Sequence, residues 1–423
     1  MRTYFPAVHP VCTLIRLSII AILLSGLTLC ADAQSYSFKD LLDFNGSNGN
    51  DPLGGVTLDA SGNLYSTTAS GGAKGFGDVF KISSGGVFTD LLDFNVTNGA
   101  NPFVGVILDA SGNLYGTASG GGANLNGVLY KLSSNGTYTD LVDFGSSPFG
   151  GDSHEGVIPG GIALDAAGNV YGRTYTNSGG LGGGVIYKYS TDGKYTVLHT
   201  FNDTDTNAIP VPGLKFDASG NMYGTTYSGG AAQANGQIFK ITPDGTYTDL
   251  FDFNGTNGAH PLADVVFDAA GNLYGTTSAG GANGDGDIFK LAPDGTFTDL
   301  FDFNGANGSD PISTLVFDST GNLYGTTYKG GANGDGEVFK LAPDGTFTDL
   351  LDFNGANGAN PSAGVVLDSS GNLYGTTTVG GANGDGLVYE LPIQMTPEPG
   401  AWTMALAPVS AWLILRLRRR KAC

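Results

Sequence analysis

The chain has 423 residues, 70 of them glycine and three cysteine, with 39 acidic residues against 19 basic ones and a formal net charge of −20. Its 40% hydrophobic and 11% aromatic content is too high for disorder, and the glycines follow no three-residue period, which excludes collagen. The acidic balance argues against nucleic acid, whose recognition demands a basic surface; the bias toward Gly, Asn, Asp, Thr and aromatics predicts short strands and tight turns.

Residues 1–33 read as a secretory signal peptide. Arg2 and Arg16 supply a basic start, Leu17–Leu29 is a mostly apolar run, and Ala31-Asp32-Ala33 offers the small-x-small site at which signal peptidase cleaves, leaving Gln34 first.

The body, residues 34–392, is one unit written seven times. Asp-x-x-Gly-Asn-x-Tyr recurs with its aspartate at Asp59, Asp109, Asp165, Asp217, Asp268, Asp318 and Asp368, at spacings of 50, 56, 52, 51, 50 and 50, and such a period marks a repeat architecture. Each unit holds four short strands. In the sixth they are Leu315–Phe317, Leu323–Thr327, Val338–Leu341 and Thr346–Phe353, separated by Asp-Ser-Thr-Gly-Asn, a glycine-rich hairpin connection and Pro-Asp-Gly. Four strands at this spacing describe a propeller blade. The phase of the repeat predicts closure: the mature chain opens on a fourth strand, Tyr36–Phe44, and ends on a third, Gly386–Leu391. Joined, they complete a seventh blade and remove two open sheet edges. The expected fold is therefore all-β, a seven-bladed β-propeller with four strands per blade, its ring closed by the N-terminal strand pairing into the last blade.

Two resemblances rest on these residues. Val-x-Leu/Phe-Asp-x-x-Gly-Asn-Leu-Tyr looks like the first two strands of NHL-type propeller blades. The fuller unit, with Gly-Gly-Ala-Asn-Gly-Asp-Gly, Val/Ile-Phe-Lys-Leu, Asp-Gly-Thr-Phe-Thr-Asp-Leu and Gly-Asn-Leu-Tyr-Gly-Thr-Thr, resembles the GloVer (Gloeo/Verruco) tandem repeat of bacterial surface proteins across all seven units. That resemblance implies a surface protein and brings no catalytic residues.

The chain then runs through a linker, residues 393–400, with Pro397-Glu398-Pro399, into a segment at 401–423 that is apolar from Ala401 to Leu415 and ends in the basic cluster Arg416, Arg418, Arg419, Arg420 and Lys421. A spanning helix needs about 20 residues, so this one is short and requires Arg416 to snorkel; the basic cluster then stays cytoplasmic and the body outside. Pro-Glu-Pro, short apolar helix and basic tail, in this order, resemble the PEP-CTERM sorting signal of Gram-negative bacteria. The resemblance implies an exosortase-type sorting enzyme as partner, an inner-membrane-anchored intermediate facing the periplasm, and delivery to the cell surface or extracellular matrix. The other reading of the segment is a plain membrane anchor. With both ends removed the body carries 37 acidic against 12 basic residues and no cysteine, since Cys12, Cys30 and Cys423 all leave; its stability cannot rest on disulfides.

Catalytic groups are sparse. The body has three histidines, His154, His199 and His260, a single arginine, Arg173, and inner strands in which Lys215 is the one ionisable residue before the terminal aspartate. The seven repeat aspartates are read as turn caps rather than as a ring of ligands. No cofactor is required; the Asp/Asn-Gly loops, such as Asp302–Asp310, offer hard oxygen donors at short spacing and are either Ca²⁺ sites or solvated turns. The one asymmetry lies in the third and fourth units, where Asp152, His154, Glu155, Arg173, His199 and Asp203 depart from the repeat and would form a polar or metal site if adjacent blades bring them together. The expected function is a non-enzymatic surface or matrix propeller that binds polysaccharide or a surface protein. A hydrolase or lyase acting at the irregular units, and a purely structural envelope component, are the alternatives.

Overall fold

In a strand such as Val338-Phe339-Lys340-Leu341, successive side chains leave opposite faces of the sheet. An apolar residue followed directly by an aromatic one therefore buries both faces, which is possible only if a neighbour covers each. The computed structural model describes residues 34–145, 157–176, 184–201, 213–230 and 235–395, and it stacks seven such four-stranded antiparallel sheets into a ring. Blades I to VI run in chain order from strands Thr57–Leu58, Ile107–Leu108, Val157–Leu164, Lys215–Phe216, Val266–Phe267 and Val316–Phe317. Blade VII takes Val366–Leu367, Leu373–Thr377 and Leu387–Leu391 from the end of the chain and Lys39–Asp43 from its beginning. The closing strands are antiparallel, with Lys39 opposite Glu390 and Asp43 opposite Leu387, and Lys39 Nζ lies 2.7 Å from Glu390 Oε2. The expected closure is thus the observed one.

Residues 36–393 form one unit, and residues 1–35 with 394–423 a second, of which the described part is the ends of strands Gln34–Tyr36 and Ile393–Met395. Ala31 and Ala33 of the expected signal peptide, and Pro397, Glu398, Pro399, Arg416, Arg418, Arg419 and Arg420 of the expected sorting signal, lie outside the described residues. Among the described residues no helix is long and apolar enough to cross a membrane.

Each interface between blades is one hydrophobic cluster. Val338 packs toward blade VII with Phe353, Val365 and Leu373, whereas Phe339, the next residue, packs toward blade V with Ile288, Phe303 and Leu315. The same split occurs at Val79-Phe80, Ile238-Phe239 and Val388-Tyr389. At every interface a fully buried phenylalanine that follows the outer strand meets the third-strand aromatic of the next blade: Phe44–Phe80, Phe94–Tyr130, Phe144–Tyr187, Phe201–Phe239, Phe253–Phe289, Phe303–Phe339 and Phe353–Tyr389. Their centroids lie between 5.2 and 5.6 Å apart, in edge or tilted geometry. Gly325 faces Phe339 across the sheet, and a Cβ there would come 2.6 Å from the ring tip, so the ring occupies the space a side chain would need.

The repeat aspartates form Asx-type turns. Asp318 Oδ1 accepts from the backbone N–H of Thr320 (2.8 Å) and Asn322 (2.9 Å), while Oδ2 accepts from Asn322 Nδ2 (2.6 Å) and Tyr324 OH (3.1 Å). Burial opposes ionisation here, but these hydrogen bonds outweigh it and hold Asp59, Asp109, Asp165, Asp217, Asp268 and Asp318 below the usual carboxylate range. On the outer strands the balance reverses. Burial, together with a facing Asp43, Asp93, Asp143 or Asp252, pushes Asp40, Asp90, Asp140 and Asp249 each up to about 6.

Two expectations follow from this packing. Phe303→Ala empties one side of an interblade cluster and should lower unfolding free energy by about 3–5 kcal/mol in urea titrations; a loss under about 1 kcal/mol would contradict the packing described. The raised outer aspartates contribute stability that is complete below their unfolded value and disappears as pH rises through about 6, whereas the turn aspartates lose theirs only as pH falls below the ordinary carboxylate range. Thermal midpoints of the metal-free chain should therefore be higher at about pH 5 than at about pH 8, and a flat or inverted profile would count against the outer pairs.

Candidate functional site

The innermost strands surround a central cavity of about 750 Å³. Most of its wall is what the repeat dictates: aliphatic side chains such as Val56, Val106, Ile162, Leu315 and Val365, and backbone at Gly54, Gly105 and Gly364. A regular wall of this kind has its polar groups satisfied internally. Thr67, Thr117, Thr225, Thr276, Thr326 and Thr376, at equivalent places on the second strands, each donate their hydroxyl to a carbonyl of the next blade, those of Val104, Gly160, Ala263, Ser313, Ala363 and Gly54, at 2.9–3.3 Å.

Blades III to V break this wall. Arg173 stands where the other six units carry that threonine and is only 6% exposed. Its guanidinium lies against the backbone of Gly160, where a Cβ would come 2.6 Å from Nε, and over the ring of Tyr175 at 5.6 Å. Asp264 stands where the other units carry glycine or threonine, and Lys215 where they carry Thr57, Ile107, Ala163 or valine. Lys215 Nζ is 3.7 Å from Asp264 Oδ2, and the backbone N–H of Asp264 donates to Thr314 Oγ1 at 3.3 Å. Arg173 Nε and Nη1 and Asp264 Oδ1 are buried without a hydrogen-bond partner. Burial pulls the guanidinium down to about 10 against the opposing pull of Tyr175 and Asp264, and burial raises the Asp264 carboxyl against the stabilising charges of Lys215 and Arg173. Buried polar groups are ordinarily hydrogen-bonded, so these three atoms set this side of the wall apart from the regular one.

Two aromatic rings complete the wall on this side. Tyr175 is 44% and Tyr227 36% exposed, and both line the cavity. His260 stacks on Tyr227 at 4.5 Å and holds its carbonyl through Nδ1 at 2.9 Å. It does so from a left-handed backbone, φ 55°, at a place where other units carry Asp51, Asn101, Asp310 or Asn360. Histidine, like Asn and Asp, is among the non-glycine residues that enter this conformation, and here the residue braces a ring at the cavity wall.

Of the irregular residues singled out in the sequence, Arg173 is in the cavity wall and His199 is not. Arg173 pairs with Ile186, and Ile186 in turn with His199. Cross-strand partners share a face, so one whole strand separates the two residues; His199 stacks on Tyr247 at 4.4 Å on the outer side of the blade. Asp152, His154, Glu155 and Asp203 lie outside the described residues. Lys215 was visible as the ionisable exception in an inner strand. Asp264, Tyr175 and Tyr227 were missed, although Asp264 breaks the Gly/Thr position of the aligned units. In the loop Asp302–Asp310 the Asn304 side chain accepts from the N–H groups of Ala306 and Asn307, and Asn307 from that of Asn304.

The family described as the Gloeobacter/Verrucomicrobia repeat matches residues 26–175, 146–298 and 263–406. No curated protein is significantly similar in sequence. Among solved structures, one described as the extracellular domain of a one-component system from B. thetaiotaomicron is 14% identical, with a TM-score of 0.54 over 84% of this chain and 40% of that one. PorZ, described as a bacterial surface component of the type-IX secretion system of Porphyromonas gingivalis, is 15% identical, with a TM-score of 0.51 over 83% and 47%. The chain thus spans less than half the length of either. A gluconolactonase from Xanthomonas campestris is 17% identical over 68% of this chain and 84% of that one, at a TM-score of 0.40. The first two likenesses bear on the fold alone.

Arg173→Thr puts back the residue the other six units carry and removes a buried cation with two unpaired nitrogens. It should raise unfolding free energy by about 1–2 kcal/mol; measured destabilisation instead would mean that Arg173 is a structural strut.

Proposed function

This chain belongs to the Gloeobacter/Verrucomicrobia repeat family, and on that premise we propose that it is an exported, non-enzymatic propeller that binds carbohydrate of the cell envelope or extracellular matrix in its central cavity. The observation that carries the reading is the set of unpartnered atoms in the wall: Asp264 Oδ1 as acceptor and Arg173 Nε and Nη1 as donors. Neighbouring hydroxyls of a sugar both donate and accept, so one sugar end satisfies both kinds of group. The exposed rings of Tyr175 and Tyr227 supply flat apolar surface of the kind a sugar's C–H face packs on, giving a mostly apolar pocket with a few convergent polar groups.

The reading is non-enzymatic in that it gives Asp264 the part of a hydrogen-bond acceptor; a catalytic part would need it to act as nucleophile or base with a neighbour such as Lys215, 3.7 Å away. Export rests on the two terminal segments of the sequence, with signal peptidase and an exosortase-type enzyme as processing partners and an inner-membrane-anchored intermediate between them. Two solved structures with TM-scores above 0.5 are likewise described as an extracellular domain and a bacterial surface component.

The test is calorimetric titration of the protein with a panel of neutral and uronate-containing oligosaccharides from bacterial exopolysaccharide. At least one should bind, and Arg173→Thr and Asp264→Thr should each weaken that binding tenfold or more while leaving the fold intact. Unchanged binding in both variants, or turnover of an oligosaccharide or lactone that depends on Asp264, would overturn the reading; the second result would make the protein a hydrolase or lyase.

A further inference from the structure

We propose that blade VI carries a Ca²⁺ site made by the carboxylates of Glu337, Asp349 and Asp352, independent of the central cavity. The local geometry follows from a β-bulge. Glu337 opens the third strand and faces Asp352 at the end of the fourth. Asp349 and Asp352 are three residues apart and in a regular strand would leave opposite faces. The register shifts between Val338 and Phe339, so that Phe339 faces Asp349 while Val338 faces Leu351. The extra residue brings both aspartates to the side of Glu337. One carboxylate oxygen from each of the three lies within 4.8 Å of the others. Oxygens held at 2.3–2.6 Å from a Ca²⁺ ion are separated by no more than about 5 Å, so the three can share one ion.

A cluster of acids alone would not carry this. The second observation is Glu337 itself, which is 0% exposed with neither Oε1 nor Oε2 hydrogen-bonded. A buried carboxylate without hydrogen bonds or a counter-charge is strongly unfavourable, and no ion pair among the described residues involves any of the three acids. The hydroxyl of Thr327, also fully buried, is likewise without a partner. It sits beside Glu337: a Cβ on Gly308 would lie 2.8 Å from Thr327 Oγ1 and 2.9 Å from Glu337 Oε1.

Other blades fill the same position differently. In blades I and V the third strand opens with Asp78 and Asp287, and the equivalent threonines Thr68 and Thr277 donate to their Oδ1 at 2.9 and 2.8 Å. The extra methylene of Glu337 carries its carboxylate past Thr327, and that hydrogen bond is lost. In blades II, III, IV and VII the position is Val128, Val185, Gln237 and Leu387, which cannot supply a third carboxylate. Asp349 is exposed, which leaves one side of the site open to water for the remaining positions of a six- to eight-coordinate ion.

The experiment is calorimetric titration of CaCl₂ into the EDTA-treated, dialysed full-length chain, with Glu337→Gln, Asp349→Asn and, as control, Asp299→Asn at the equivalent place in blade V. The wild type should bind Ca²⁺ saturably with a rise in thermal midpoint. Glu337→Gln and Asp349→Asn should each lose one equivalent or weaken it at least tenfold, while Asp299→Asn keeps it. Asp349 is a surface residue, so its variant reports on the site even if Glu337→Gln fails to fold. No saturable binding to the wild type up to about 10 mM, unchanged binding in the two blade VI variants, or loss on Asp299→Asn alone would each overturn the proposal. None of these results bears on sugar binding, which is read at Arg173 and Asp264.

Discussion

The ring depends on one recurring contact, the buried phenylalanine after each outer strand set against the third-strand aromatic of the next blade. It joins two sheets that share no backbone hydrogen-bond ladder, so it does the work that strand pairing does within a blade. Each such pair contributes about 0.5–1.5 kcal/mol beyond the area it buries. Seven together reach the order of ~4–10 kcal/mol, comparable with the whole net stability of a typical domain. The contact is also what makes closure cooperative. Phe44, on the N-terminal strand, meets Phe80 of blade I, and Phe353 meets Tyr389 of blade VII; without the paired termini the ring would lose apolar contacts on both faces of the last blade.

The fold was legible because every unit states it. A strand that begins the chain without its first three partners, and a final unit without its fourth strand, leave one arrangement that removes both edges, and the structure has it. The apolar–aromatic dipeptide was legible as a strand but not as a two-sided interface, since a single strand does not reveal that both of its faces are covered. The site was legible only in part. Arg173 stood out because six threonines surround it in the alignment of units, yet the reason threonine belongs there, a hydroxyl reaching the carbonyl of the next blade, exists only in the closed ring. His199 stood out equally and is elsewhere: sequence comparison finds which positions depart from the repeat, whereas their juxtaposition depends on strand order, and Ile186 intervenes. Asp264 was hidden because its position precedes the inner strand and varies between glycine and threonine in any case.

A closed ring of like units has a particular difficulty with recognition. The better each unit satisfies its own polar groups against the next, the less the channel offers a ligand. Here the regular wall of aliphatic side chains and backbone is sealed by threonine hydroxyls. Unpaired polar atoms gather on one side of it, at Arg173 in blade III and at Asp264 just before the inner strand of blade V, with Lys215 of blade IV between. A change of this kind is tolerable because closure distributes the load: giving up the threonine of blade III leaves the other interblade hydroxyl contacts in place and the aromatic pair at its own interface, Phe201–Phe239, intact.

The charge balance then narrows what could bind there. The body is strongly acidic, so a polyanion approaching the channel meets an unfavourable field, and the local excess of one positive charge from Arg173, Lys215 and Asp264 is small against it. Arg173 and Asp264 also oppose each other: an anion that gains from the guanidinium meets the carboxylate beside it. A hydroxyl-bearing neutral group has neither conflict, because it donates to Asp264 and accepts from Arg173 in the same pose. The electrostatics of the whole molecule and the hydrogen-bonding needs of two buried side chains thus both favour the hydroxyl-bearing ligand proposed for the cavity, independently of any relative's function.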